Sequence, residues 1–183
     1  MRRRCAVLGK KSTKKLCNWQ QVYIFALMKM LREFREAAKS RNLCEKYSEM
    51  WDNCKSKKQL IDLATDSNGI PYVCESIVEG WGVTPEFISE NFKTFINGRY
   101  VSQHNGYTSA MYVERFFVEP VVVKTTNLVV IACEGIIEVP ENTVCNIFIV
   151  ESDVVIRGSG VCYVKTYGDN TIKYDETLRH HNQ

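Results

Sequence analysis

Apolar residues in the last third of the chain come in runs that do not alternate with polar residues. A strand with one exposed face alternates apolar and polar positions, whereas continuous runs of Val and Ile are typical of strands covered on both faces. We therefore predict a sheet that needs a further layer packed against it. The runs occupy residues 116–123, 128–131, 144–150, 154–156 and 161–164.

These runs recur along the chain with an offset of about 18 residues. Rows 127–139, 147–157 and 161–174 each contain a strand, a short polar corner and a second strand. The repeat fits a short β-solenoid, in which a rung buries its apolar face only by stacking on its neighbours. It equally fits a small antiparallel sandwich, because 158–160 and 168–170 read as glycine-containing hairpin loops. The sequence leaves both architectures open.

The front half has helical periodicity instead. Apolar residues recur every three or four positions from about residue 18 to 40, and a second such pattern lies between 43 and 54. Residues 93–113 then change to a strand-like period. Asn97-Gly98 and Asn105-Gly106 are strong signals for tight hairpin turns, so this segment is predicted to be a three-stranded meander.

Three further helices have recognisable start or stop signals. Ser56 and Gln59 form a capping box, Pro71 suits a first helical turn, and Thr84 followed by proline marks another start. Gly80 is expected to end the helix that contains Pro71. Asn68-Gly69 is expected to end the helix before it through a left-handed residue.

Together these patterns predict an α+β fold with four to five helices, a β-meander and a β-repeat region that is either a short solenoid or a small antiparallel sandwich. The predicted organisation is a basic arm at 1–17, a helical domain at 18–92, a β domain at 93–175 and a frayed polar tail at 176–183.

Opposite charges collect in the two halves of the chain. Residues 1–60 carry 16 Lys and Arg against 5 Asp and Glu, a net charge of +11, whereas residues 61–183 carry 8 against 16, a net charge of −8. Such a division predicts either that the front binds polyanions or that the two halves pair with each other. The carboxylates expected at corners or on exposed sides of the β region are Glu134, Glu138, Glu141, Glu151, Asp153, Asp169 and Asp175.

The composition is that of an ordinary globular protein, with 45% hydrophobic residues, 25% charged residues and four prolines. The longest apolar run of the front half, 22–28, is too short to span a bilayer. The apolar stretch after the first arginines has only four residues, which is too short for a secretory signal. We therefore expect a cytoplasmic protein without a membrane partner.

Candidate chemistry is sparse. The eight cysteines are dispersed at apolar positions without a Cys-x-x-Cys pair, so they are interpreted as small core hydrophobes and no metal or cofactor is expected. A cysteine nucleophile needs a base, and His104, the only histidine before the tail, is interpreted as a turn residue. Phosphate-binding loops, serine-hydrolase elbows and zinc-protease motifs are absent. The sequence predicts no enzymatic activity.

Two sets of residues are candidates for binding. The first is basic and is expected to contact nucleic acid or an acidic partner: Arg2, Arg3, Arg4, Lys10, Lys11, Lys14, Lys15, Arg32 and Arg35. The second interleaves aromatic and basic groups across the predicted meander and is expected to contact a protein partner: Arg99, Tyr100, Tyr107, Tyr112 and Arg115.

A resemblance rests on three motifs followed by the polar-cornered β repeats. These motifs are Asn68-Gly-Ile-Pro-Tyr-Val-Cys-Glu, Gly80-Trp-Gly-Val-Thr-Pro-Glu-Phe-Ile-Ser and Phe95-Ile-Asn-Gly-Arg-Tyr-Val. The segment 42–113 with the repeat resembles small accessory proteins of bacteriophages and prophages of gut bacteria. The resemblance implies a host-directed interaction protein, with inhibitors of bacterial defence nucleases such as CRISPR effectors among the candidates. It transfers no residue roles and does not include the basic arm or the first helix.

Three functional hypotheses follow. The leading one is a non-enzymatic inhibitor that occludes the surface of a host protein or ribonucleoprotein complex, either through an acidic rear that imitates nucleic acid or through a basic front that binds RNA or DNA. The second is a direct nucleic-acid-binding protein that uses the basic front half. The third is a structural phage component that forms trimers through the β repeat.

Overall fold

The structure is a computed structural model that describes residues 29, 32–33, 35–41, 45–91, 102–104 and 107–182. Residues 29, 32–33 and 35–40 are helical. The helices that follow are α1 (Glu45–Asp52), α2 (Lys57–Ala64), α3 (Gly69–Glu79) and α4 (Pro85–Asn91). The strands are β1 (Ser102–His104), β2 (Tyr107–Val113), β3 (Val121–Val122), β4 (Asn127–Ile131), β5 (Glu134–Val139), β6 (Val144–Val150), β7 (Asp153–Gly158), β8 (Val161–Tyr167), β9 (Thr171–Tyr174) and β10 (Arg179–Asn182).

The strands form a β-solenoid of about four turns with two parallel sheets. Sheet A has the order β1-β2-β4-β6-β8-β10 and sheet B the order β3-β5-β7-β9. From β2 onward the chain passes from sheet A to sheet B and back in every turn, so consecutive strands belong to different sheets. Each pairing below β2 is parallel. The solenoid interpretation is therefore confirmed, and the antiparallel sandwich is wrong.

The predicted offset of the repeat is confirmed by the strand register. Ser109 pairs with Asn127, and Asn127 pairs with Asn146, which are offsets of 18 and 19 residues. The repeat also begins one turn earlier than predicted, because β2 pairs with β4 and belongs to sheet A. The predicted three-stranded meander is therefore wrong for β2. One of its hairpins is present, since β1 pairs antiparallel with β2 across residues 105–106, whereas 93–101 lie outside the described residues.

Sheet A is covered on both faces in its middle strands, β4 and most of β6. On one face Ile131, Phe148 and Val150 pack with side chains of the helices, including Trp51 and Ile70. Continuous Val and Ile runs in β4 and β6 are therefore explained by this double burial, and each buried apolar side chain contributes roughly 1.5–3 kcal/mol.

The opposite face of sheet A packs on sheet B. Val130, Ile149 and Val164 of sheet A share a core cluster with Ile137 and Ile156 of sheet B. Sheet B itself is covered only on this inner face. The prediction of strands covered on both faces is thus confirmed for β4 and for residues 147–150 of β6, whereas in β8 every second side chain of 161–164 is only half-buried and sheet B has one open face.

The helix signals largely agree with the structure. The Ser56–Gln59 capping box is present, Pro71 lies in the first turn of α3, Gly80 ends α3 in the left-handed conformation, and Thr84 Oγ1 accepts the Phe87 N–H at 3.2 Å. No helix among the described residues is long and apolar enough to span a membrane.

The Asn68-Gly69 prediction is wrong. Gly69 begins α3, and Asn68 has a right-handed φ of −91°. The carboxylate of Asp66 accepts the N–H groups of Asn68 and Gly69 at 2.9 and 2.8 Å, and so satisfies backbone donors at the start of α3. Glycine is required at position 69 because a Cβ there would collide with the Leu63 carbonyl.

A buried amide joins the helices to the solenoid. Asn127 donates from Nδ2 to Ser67 Oγ at 3.0 Å and to Ser109 Oγ at 3.1 Å, and its Oδ1 accepts from Asn146 Nδ2 at 2.9 Å. Because Asn127 is fully buried, these bonds offset the cost of removing the amide from water.

The corners from sheet A to sheet B share one left-handed residue per turn. Glu114, Ala132, Glu151 and Gly168 occupy equivalent positions with φ of 50°, 50°, 46° and 70°. The N–H of Glu114 donates to the Ile131 carbonyl at 2.8 Å, and the N–H of Ala132 donates to that of Val150 at 2.9 Å. The corners at Glu114, Ala132 and Glu151 are therefore each held by a hydrogen bond to the next turn of the solenoid.

Arg179–Asn182 form the strand β10, whereas the sequence predicts a frayed tail there. β10 adds to β8 in parallel, Leu178 is buried, and the ring of His180 stacks on Tyr174 with centroids 3.8 Å apart. The polar strand covers the lower edge of residues 161–164 of β8. Its exposed Arg and His side chains disfavour pairing with a further sheet edge.

We expect Ala132→Gly to raise the free energy of unfolding by about 1 kcal/mol, because a left-handed residue with a Cβ is strained. Urea denaturation measures the change. Ala110→Gly in β2, where φ is not positive, is the control and should lower the free energy of unfolding. If both variants are destabilised, the left-handed corner is not a source of strain.

Candidate interaction surface

Exposed apolar side chains collect on the outer face of sheet B. Phe116 and Val118, on the connection from β2 to β3, are 67% and 83% exposed, and Val122 and Val155 are 42% and 37% exposed. Ile136 pairs with Val155 in register and is half-buried. We call these five residues the outer patch.

The strand period explains why these residues face outward. In β7 the flanking Val154 and Ile156 are buried in the core between the sheets, so Val155 points to the opposite side. The same alternation buries Ile137 in β5 and leaves its neighbour Ile136 on the outer face. The apolar run 154–156 therefore places its first and third side chains in the core and its second side chain on the surface.

Charged side chains flank the outer patch. On one side Glu134 and Asp153 are exposed and directly in register. On the other side Arg157 donates to Glu138 at 2.9 Å. Below Val155 lies Lys173, its partner in register on β9. The patch thus has an acidic margin on the side of the left-handed corners.

A shallow groove of about 240 Å³ lies within this face. Its walls are Glu134 and Asp153 on one side, and Ile136 and Val155 on the other, with Thr171 and Lys173 at the lower end. The acidic and apolar walls extend along the solenoid axis from β5 to β7, and on β9 they are followed by Thr171 and Lys173.

The predicted acidic surface of the β region is present. Glu134, Glu141, Glu151 and Asp153 are exposed, as are Asp169 and Asp175. Glu138 is half-buried and forms the ion pair with Arg157.

The aromatic and basic set is distributed over separate surfaces. Tyr107 is exposed, whereas Tyr112 points to the core between the sheets and packs edge-on against Phe117 with ring centroids 5.2 Å apart. Burial raises the pKa of Tyr112. Arg115 is exposed at the corner, and 99–100 lie outside the described residues. The binding role of the set stays a prediction.

Most of the basic set lies outside the described residues. Residues 2–15 lie outside the described residues, whereas Arg32 is exposed and helical. Arg35 is half-buried and forms ion pairs with Glu36 and Asp52. Its charge is compensated locally, so of the two described cations of this set Arg32 is the more accessible to a partner.

The described thiols behave as core hydrophobes. Cys145 and Cys162 are in register on the inner face of sheet A, and burial raises the pKa of Cys145 to about 12 and that of Cys162 to about 11. His180 follows Cys162 in register but lies exposed against Tyr174. A nucleophilic thiol needs a lowered pKa, which is the opposite shift. In the part of the chain that the structure describes, no group of three or more His, Cys, Asp or Glu residues is placed to hold a metal.

Sequence reasoning missed the outer patch. The runs 116–123 and 154–156 were both assigned to covered strands, and nothing in either run distinguishes core from surface. The available signal was the flanking pattern, because Asp153 and Arg157 bracket Val155 at a spacing of two and mark its face as the exposed one.

The raised thiol pKa values predict a loss of stability at high pH. A thiol that is held neutral in the folded state stabilises it below the unfolded pKa of about 8.5. This contribution is lost as pH rises toward the folded pKa values of about 11 and 12. Urea unfolding under reducing conditions at pH 8 and 10.5 should show a smaller decline for Cys145→Ala/Cys162→Ala than for the natural chain. Equal declines would contradict the account.

The chain was compared with protein-family models, curated proteins and solved structures, and none of these comparisons finds a match.

Proposed function

We propose that this chain is a non-enzymatic interaction protein that occludes a surface of its partner with the outer face of sheet B. The observation that carries the proposal is the outer patch. Val122 and Val155 remain exposed on a sheet whose other face packs in the core, and Phe116 and Val118 remain exposed on the connection that leads into this sheet. Contiguous exposed apolar residues rimmed by polar groups are typical of protein interfaces.

The scaffold suits this role because it presents the patch on a rigid support. Sheet B is held by in-register pairing with its own turns and by the core that it shares with sheet A. Side chains such as Ile136 and Val155 are therefore fixed before binding. A preorganised surface loses less conformational entropy on association than a flexible one.

The specific form that we propose is a phage-encoded inhibitor of a bacterial defence system, of the kind that blocks a CRISPR effector. This part of the proposal rests on the resemblance of the 42–113 segment and the repeats to phage accessory proteins. The acidic margin of Glu134 and Asp153 is compatible with a partner that has a basic surface. Action is expected in the host cytoplasm.

Nucleic-acid binding by the front half is the second candidate function. The observation that favours it is the net charge of +11 over residues 1–60, with Arg32 exposed on its helix. A protein of this kind would capture partners from a lysate only through RNA or DNA and would lose affinity steeply with salt. A structural phage component is the third candidate, and it requires trimers in solution.

Affinity capture from a bacterial host lysate tests the leading proposal. We expect the natural chain to retain its protein partner after nuclease treatment. Val155→Asp should reduce capture by at least about tenfold, because an unpaired carboxylate would be desolvated at the centre of the interface. Val144→Asp is the matched control, since Val144 is 62% exposed on β6 of sheet A, away from this face, and should leave capture unchanged.

Both variants should have the same melting temperature as the natural chain, because the replaced side chains are exposed. Loss of every captured protein on nuclease treatment would favour nucleic-acid binding instead. If Val155→Asp captures as much partner as the natural chain, the outer patch is not the binding surface. A trimer mass in solution would favour the structural phage component.

A further inference from the structure

We propose that the groove on the outer face of sheet B binds an arginine side chain of the partner protein. This inference rests on the proposed function and identifies the chemistry of the partner at that surface. It follows from the two walls of the groove, which are Glu134 with Asp153 and Ile136 with Val155.

The acidic wall holds two carboxylates without a cation between them. Glu134 and Asp153 are directly in register on neighbouring parallel strands, where strands lie about 4.8 Å apart. Within residues 102–104 and 107–182, neither carboxylate forms an ion pair. Like charges directly opposite each other on a sheet destabilise it, so this arrangement is improved by a bound cation.

The apolar wall selects the kind of cation. Ile136 and Val155 form a continuous apolar strip beside the two carboxylates. An arginine side chain matches both walls, because its aliphatic part packs on apolar surface while its planar guanidinium donates to two acceptors at once. A lysine ammonium is a compact, strongly hydrated point charge and cannot bridge the pair with the same geometry.

Lys173 determines the direction of the bound side chain. It lies at the lower end of the groove, one strand below Val155. Its charge repels a second cation from that end, so the guanidinium is placed at the upper end between Glu134 and Asp153. The hydroxyl of Thr171 lies on the same side as these carboxylates and is a further polar group near the site.

The outer face of sheet B is smaller than a complete protein interface. Four strands of about five residues cover about 300 Å², from a strand spacing of about 4.8 Å and a rise of about 3.3 Å per residue. A stable interface buries about 800 Å² on each protein, whether the partner is a second copy or a different protein. The groove is therefore expected to receive one anchoring side chain within an interface that extends beyond this face. Charge complementarity favours a partner protein with a basic surface as the occupant, because the groove has an acidic wall.

The test uses purified protein and a fluorescein-labelled heptapeptide of alternating Arg and Leu. Matched peptides carry lysine, or the neutral isostere citrulline, in place of arginine. Fluorescence anisotropy should give the arginine peptide at least about a fivefold tighter Kd than the citrulline peptide, and tighter binding than the lysine peptide. Amide shifts in NMR spectra should concentrate at Gly135 and Val154, which form the floor of the groove.

The decisive variant is Glu134→Gln/Asp153→Asn, which removes both charges and keeps the side-chain shapes. It should weaken the arginine peptide by about fivefold or more and should raise the melting temperature, because the repulsion is gone. Glu141→Gln/Glu176→Gln makes the same charge change at exposed positions outside the groove and should change Kd less than about twofold.

Equal weakening by the two double variants, or equal binding of the arginine and citrulline peptides, would overturn the inference. This outcome is distinguishable from failure of the proposed function. If capture from lysate depends on Val155 but the peptide Kd is the same with and without the Glu134 and Asp153 charges, only the arginine site is rejected. Arginine-peptide binding without lysate capture would reject the proposed function alone.

Discussion

The burial of sheet A on both faces is the constraint on which the other features depend. Phe148 and Val150 pack under the helices, while Val130 and Ile149 pack on sheet B. Neither layer alone would remove these side chains from water, so the helices and the solenoid stabilise each other. The Asn127 network adds directional contacts to this apolar packing, because its bonds to Ser67 and Asn146 form only when the layers are in register.

The same constraint determines what sheet B presents to solvent. Once Ile137 and Ile156 are committed to the inner core, the strand period places Ile136 and Val155 on the outside, whatever their hydrophobicity. The left-handed corners keep successive turns in register, so equivalent side chains form columns along the solenoid axis. An apolar column therefore lies beside an acidic column, and a groove with two chemically different walls results.

The fold was predictable from the sequence as far as local signals extend. The Ser56 capping box, the Gly80 helix end and the offset of the repeat are local or periodic features, and the structure agrees with each. Solenoid and sandwich differ only in which strands pair, and the sequence contains no local record of that choice. For the same reason β2 was assigned to a meander and β10 to a frayed tail, although both pair with strands 18 residues away. The outer patch was missed because Val155 and Ile156 are chemically similar and differ only in direction.

Native-state hydrogen exchange is the most direct measurement of the shared burial. If sheet A depends on both layers, amides of Val130 and Ile149 should exchange only through global unfolding, and those of Val73 and Cys74 in α3 should approach the same limiting free energy. If the α3 amides exchange through a far smaller opening free energy while β4 and β6 remain fully protected, the helical layer is dispensable and the account is contradicted.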